Sequence, residues 1–385
     1  MTFYRDTWAE VDLDAIHSNT KNLRGLLDEN VQIMAVVKAD GYGHKAVPTA
    51  EEALAAGAQW LGTALLDEAI ALREAGITAP ILVLGMIRPE DVVTAAANDI
   101  IVTAFQPWWL ERAEKAAAAS GQSFDYHIKI DSGMHRLGLK TNEEIDAFAS
   151  RAASAEFGRA VGMFTHFAQA DEQETSYVEE QTARFQEVAD RLESVIGSIP
   201  VRHCANSAAA MRFPEAGFSL VRFGISMYGL TPSPSITADL PFALKPAFSL
   251  HSRITHVKTL EPGDTVSYGR TYTAESRERA ATVPIGYADG WIRMHQGGDV
   301  LVNGQRCPII GRICMDQMII RVPEGIESGE LVTLIGAQGS EYVSMEEAAA
   351  RLDTINYEIP CVISARVPRL LQKQGRKTEV YYNIL

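Results

Sequence analysis

Apolar positions in the first 230 residues or so gather into short runs, at 33–37, 60–64, 81–84, 100–102, 126–130, 161–164, 201–203 and 220–223. Runs this short, bounded by Gly, Pro or polar residues, read as strands buried on both faces. Between them, stretches rich in Ala, Glu and Arg at 49–56, 67–75, 108–118, 143–153 and 174–195 carry the apolar spacing of amphipathic helices. Eight strand candidates alternating with helices predict a (β/α)8 barrel. An open doubly wound sheet is the alternative, and it usually has fewer strands.

The pattern changes after Thr231-Pro232-Ser233-Pro234, with Pro241 and Pro246 following. Such a stretch reads as a domain boundary. Beyond it, 248–257, 279–284, 299–302, 307–310, 317–322 and 331–335 read as strands, with turns at Pro262-Gly263 and Asn303-Gly304. One helix is expected over 344–352, with Ser344 and Glu347 as a capping box. The expected architecture is therefore α/β, with a TIM-type barrel over 1–240 and a mostly-β domain over 241–385.

Composition narrows the partners. Lys plus Arg number 35 and Asp plus Glu 49, a net charge of -14. That balance argues against a nucleic-acid surface. The start, Met1 to Thr7, lacks the basic-then-apolar pattern of a signal peptide, and no run is long enough to span a membrane. Cys204, Cys307, Cys314 and Cys361 are widely spaced, so neither a metal site nor a disulfide framework is expected, and a reducing, cytoplasmic compartment fits.

Four segments at the ends of barrel strands carry chemistry. Lys38 follows an apolar strand and precedes Gly41-Tyr42-Gly43-His44. A lysine at that end of a barrel can be desolvated for Schiff-base chemistry, or it can be a surface residue. Gly41-x-Gly43-x-x-Ala46 also imitates a dinucleotide fingerprint, weakly. In Lys129-Ile130-Asp131-Ser132-Gly133-Met134-His135-Arg136, Arg136 could clamp a carboxylate or serve a structural ion pair. His203-Cys204-Ala205-Asn206-Ser207 and Arg222-Phe223-Gly224-Ile225 follow strands seven and eight, where barrels commonly bind phosphate. In the β region, Tyr268, Tyr287, Cys314-Met315-Asp316 and Tyr357 stand in turn-rich contexts, where a packed tyrosine is the commoner outcome.

In order and approximate spacing, these segments resemble the alanine racemase family over nearly the whole chain. The resemblance implies a pyridoxal phosphate (PLP) enzyme that interconverts L- and D-alanine, acting as a homodimer whose active sites combine the barrel of one subunit with the β domain of the other. It implies Lys38 as the residue linked to the cofactor. Tyr42, Ser207, Tyr357 and the Gly224 and Ile225 backbone become phosphate ligands, and Arg222, held by His203, faces the pyridine nitrogen. His166 lies beside the ring. Arg136 and the Met315 backbone bind the substrate carboxylate, and Lys129 matches a lysine often carbamylated in the family. Tyr287, Cys314 and Asp316 support the site. His135 stands where a glycine is expected.

The resemblance further implies two bases, Lys38 on one face of the substrate and the partner's tyrosine equivalent to Tyr268 on the other. A free phenol ionises near pH 10, so a tyrosine in that role needs nearby positive charge. Rival readings are a non-catalytic PLP-binding barrel protein, a barrel-type PLP amino-acid decarboxylase and a broad-specificity racemase. The long β region argues against the first. Arg222, where a decarboxylase places an acid, argues against the second.

Overall fold

The computed structural model describes residues 3–213 and 218–382; Met1 and Thr2 of the N-terminal stretch lie outside them. The chain forms two compact units. One is Ile16–Gly41 with Lys45–Lys245, and the other is Met1–Ala15 with Tyr42–His44 and Pro246–Leu385.

The chain begins with strand β1 (Thr7–Asp12), which pairs in the second unit, and a helix at Leu13–Leu26. The first unit is built on β2 (Gln32–Val36), β3 (Trp60–Thr63), β4 (Ile81–Val83), β5 (Ile100–Ala104), β6 (Phe124–Lys129), β7 (Gly158–Phe164), β8 (Val201–His203) and β9 (Leu220–Phe223). These form one parallel sheet in the order β8-β7-β6-β5-β4-β3-β2-β9. Ser219 N donates to Arg202 O at 3.1 Å and Arg222 N to Ala205 O at 3.0 Å, joining β8 to β9 and closing the barrel. Met34, Trp60, Leu82, Phe164 and Leu220 form a buried cluster within the unit. Each such burial is worth roughly 1.5–3 kcal/mol.

Helices Ala46–Ala55, Leu66–Glu74, Pro107–Ser120, Asn142–Ala153 and Ser176–Ile196 match the five helical stretches read from the sequence. Local chemistry sets their ends. Thr141 Oγ1 accepts from Glu144 N at 3.2 Å and Glu144 answers Thr141 N at 3.0 Å, a complete capping box. The proline-rich stretch is largely exposed but is pinned on either side. Buried Asn19 donates to Met227 O and Lys245 O, and accepts from Lys245 N at 2.9 Å.

The second unit adds β10 (Phe248–Arg253), β11 (His256–Leu260), β12 (Thr265–Val266), β13 (Tyr272–Thr273), β14 (Glu278–Val283), β15 (Asp299–Val302), β16 (Gln305–Pro308), β17 (Met318–Val322), β18 (Leu331–Gln338), β19 (Glu341–Val343), β20 (Arg369–Lys373) and β21 (Arg376–Tyr381). The largest sheet runs β16-β15-β18-β10-β1-β20-β21, with β19 on β18. The expected strand 248–257 is two strands. The chain leaves one sheet at Arg253 and joins β14 of another at His256. Asn303 and Gly304, at φ 49° and 72°, make the two-residue turn between β15 and β16. Ser344 Oγ caps the helix Met345–Arg351 through Glu347 N at 3.0 Å. The carboxylate of Glu347 goes to Arg306 at 2.8 Å, so among the described hydrogen bonds only half of the capping box forms.

Candidate active site

Lys38 lies two residues beyond β2 and is half-buried. After it the backbone turns left-handed, with φ 52° at Ala39, Asp40 and Tyr42, 65° at Gly41 and 80° at Gly43. Each non-glycine residue in that region costs about 1–2 kcal/mol. The surroundings hold it. Gly41 N donates to Val37 O at 2.9 Å, and Asp40 accepts from Ala46 N at 3.0 Å and pairs with Lys45. The carboxylate of Glu68 accepts from Ala39 N at 2.7 Å while capping its own helix through Ala64 N at 2.8 Å. The sequence shows a glycine-rich turn here. It does not show the brace from Glu68.

Side chains alternate along a strand, so His127 and Lys129 share one face of β6. Lys129 is buried, its amine 4.4 Å from the centre of the Phe164 ring. That contact favours a charged amine. Burial and the charges of Arg222 and Arg136 outweigh it and hold the lysine pKa well below its ordinary value. Arg136 is exposed. The loop before it is tied by Asp131, which accepts from Gly133 N at 3.1 Å and His135 N at 2.9 Å. His135 sits at φ 57°, the conformation that favours the glycine expected there.

Arg222, buried at the end of β9, is the hub. One terminal nitrogen donates to His203 Nδ1 at 2.9 Å and His203 O at 3.3 Å. The other reaches Thr165 O at 2.9 Å, His166 Nδ1 at 3.1 Å and Cys204 O at 2.8 Å. Among the described residues nothing accepts from its Nε–H. Burial lowers its pKa to about 10, so it stays charged at neutral pH. Burial, then the charge of Arg222, pushes His166 and His203 well below the ordinary imidazole value, and both rings are neutral. The charge of Lys38 also bears on His166, so the two are electrostatic neighbours. Burial raises the Cys204 thiol to about 12.

Ser207 begins the short helix Ser207–Arg212, and its Oγ accepts from Gly224 N at 2.9 Å. Gly224 precedes the 3-10 turn Ile225–Tyr228, in which the Ser226 hydroxyl is buried without a hydrogen-bond partner. The start of the short helix and the start of the 3-10 turn therefore meet at this hydrogen bond, an arrangement suited to phosphate. Tyr228 donates to Val36 O at 3.0 Å, tying this loop to the strand that carries Lys38.

The β unit gathers the remaining residues in two places. The rings of Tyr42 and Tyr357 lie 6.5 Å apart, and burial raises the Tyr42 phenol above its ordinary pKa. Tyr268 is 71% exposed. Its neighbour Ser267 contacts the Cys314 thiol at 3.6 Å. Tyr287 N and Ala288 N donate to Cys314 O and Met315 O at 3.1 and 3.0 Å, and Asp316 pairs with Arg366 at 2.8 Å. Sequence reasoning passed over His127, Glu68 and Tyr228. Only His127 left a signal, two residues from Lys129 on the same strand.

Residues 11–232 match the family described as alanine racemase, N-terminal domain, and residues 247–371 match alanine racemase, C-terminal domain. The chain is 54% identical over 378 residues to the alanine racemase of Geobacillus kaustophilus, covering 98% of this chain and 97% of that protein. It is 49% identical over 382 residues to alanine racemase 1 of Bacillus subtilis, covering 98% and 96%. A solved structure of alanine racemase from Bacillus anthracis with bound L-Ala-P is similar at TM-score 0.96 and 49% identity, over 99% of this chain and 98% of that one.

Proposed function

The chain belongs to the alanine racemase family and is an isomerase, and from that premise we propose that it interconverts L- and D-alanine with PLP, using Lys38 and Tyr268 as opposed bases. The observation that carries the cofactor reading is Arg222. Both of its terminal nitrogens are held by the protein while its Nε–H remains for an acceptor. Lys38 would hold the cofactor covalently. Ser207, the Gly224 and Ile225 backbone, Tyr42 and Tyr357 would hold its phosphate, with His166 beside its ring. When bound, PLP supplies an electron sink that makes the substrate's Cα proton acidic.

The protein's own groups do the rest. The Lys38 amine takes or returns the Cα proton on one face, and the Tyr268 phenol works on the other. Arg136 and Met315 N fix the substrate carboxylate, which keeps Cα between the two bases. Arg222 would donate a hydrogen bond to the ring nitrogen of a bound cofactor without surrendering a proton, which would limit side reactions. Lys129, its pKa lowered by burial and neighbouring charge, more readily offers the neutral amine that carbon dioxide can carbamylate, and the resulting anion would brace Arg136. Tyr287, Cys314 and Asp316 shape the loops around Tyr268 and Met315.

We further read the enzyme as a homodimer with shared sites, for which the exposed Tyr268, Tyr287 and Met315 are the support. Its four cysteines form no disulfide among the described residues, which suits the cytoplasm, where it would supply D-alanine. The domains are read as 1–240 and 241–385. No helix among the described residues is long and apolar enough to cross a membrane.

The test pairs chemistry with activity. Borohydride treatment of the PLP-loaded enzyme should fix the cofactor on the peptide containing Lys38, and Lys38→Ala should abolish that label. Tyr268→Phe should keep bound PLP yet lose at least about a hundredfold in D-alanine formation. Wild-type turnover in that variant rejects the second base.

A further inference from the structure

Behind Arg222 lies a relay whose polarity can be derived atom by atom. A guanidinium has no lone pair to offer, so His203 Nδ1, 2.9 Å from Arg222, must be the acceptor. The proton of neutral His203 is then on Nε2. That nitrogen lies 2.9 Å from His127 Nδ1, which must in turn accept. His127 therefore carries its proton on Nε2, and this nitrogen is buried with no hydrogen-bond partner.

The pocket for this second ring is built. A Cβ on Gly162 would come within 2.5 Å of His127 Cε1 and Nε2. Trp60 packs against the ring at 5.6 Å. His203 is stacked on Phe164 at 4.8 Å and 3°. An unmet buried N–H is unfavourable, so the arrangement asks for a compensating role. In an apolar surround His203 could turn over and place carbon, or an N–H, against Arg222. With His127 as acceptor, the turned ring loses hydrogen bonds at both edges. The relay also moves the unmet N–H one ring away from the guanidinium.

We propose that His127 is a positioning residue for the racemisation: its Nδ1 locks His203 in the Nε2–H form, and His203 thereby holds Arg222 with its Nε–H available to the cofactor's ring nitrogen. The relay geometry stands on its own, whereas its catalytic meaning rests on the PLP reading above.

Long-range proton–nitrogen NMR of histidine-labelled wild-type enzyme, recorded with and without PLP, reads the tautomers directly. His127 and His203 should both appear as Nε2–H with bare Nδ1, and an Nδ1–H form at either overturns the relay. In loaded enzyme, His127→Phe fills the pocket without an acceptor. It should keep its cofactor content but release at least about tenfold more pyruvate per D-alanine, the mark of amino transfer to the cofactor. His127→Asn, which places an oxygen near the position of Nδ1, should return that ratio to within about twofold of wild type. A wild-type ratio in the Phe variant, or no rescue by Asn, overturns the role. If the Phe variant does not fold, the wild-type tautomers decide. Failure to bind PLP would count against the cofactor reading alone, since the tautomers are measured in its absence too.

Discussion

Burial and the charges of two guanidinium groups hold the Lys129 amine well below its ordinary pKa, which makes its neutral form easier to reach than in a free lysine. A neutral amine is the form that adds to carbon dioxide, releasing a proton and leaving a carbamate. Enzyme equilibrated with carbon-13 bicarbonate should therefore show one carbamate carbonyl resonance that Lys129→Ala removes; its survival in the variant would place the carbamate elsewhere. The neutral imidazoles make a second prediction. Burial lowers His127 to about 3, and His166 and His203 are also depressed. In the unfolded chain these groups take up protons as pH falls below about 6.5, while the native chain does not. Their contribution to stability is thus complete above that pH and falls as the solution is acidified toward the folded values. The expected slope is about 1.4 kcal/mol per pH unit for each histidine, once its unfolded form is protonated. Urea midpoints measured from pH 7 down to 4 should fall accordingly, and His127→Asn should flatten the curve; an identical slope in that variant would contradict the neutral assignment.

At the scale of elements, the turn after β2 and the helix Leu66–Glu74 act together. Glu68 satisfies the N-terminal end of its own helix and, with its other oxygen, fixes Ala39 N in a strained left-handed turn. Loss of that carboxylate leaves the turn free to relax and moves Lys38, which adjoins it. If Lys38 is the base proposed above, Glu68→Ala should lower kcat by about tenfold or more with little change in the far-ultraviolet circular dichroism, because a misplaced reacting group costs rate before it costs fold. Glu68→Gln, which still accepts through one oxygen, should retain more activity than Ala. Equal loss in both would point to the charge rather than the hydrogen bond at Ala39.

At the scale of the whole molecule, the distribution of bases between subunits can be tested by mixing. Lys38→Ala and Tyr268→Phe are each expected to be inactive. If a site takes Lys38 from one subunit and Tyr268 from the other, a heterodimer of the two variants has one intact site. Random reassortment then restores about a quarter of wild-type activity. Sites confined within one subunit would give none. The measurement is D-alanine formation after the mixed variants are allowed to exchange subunits.

The alternation of strands and helices was legible in the sequence, as were the turns that carry the proposed site residues. Its short apolar runs, bounded by turn residues, read as strands buried on both faces, and Lys38, Arg136, Ser207 and Arg222 all lie at or after the ends of such strands. These are local facts, set by side-chain period and by the residue types a turn tolerates. Tertiary structure decided what depends on residues far apart in the chain. Strand β1 alternates like any half-buried strand, yet nothing near it reveals that Val11 pairs with Phe248. The split of 248–257 depends on which distant strand each half meets, β18 or β14. The same holds for Glu68 at Ala39 and for His127 behind His203. A hydrogen bond needs a partner at about 3 Å, and only the folded chain brings those partners that close.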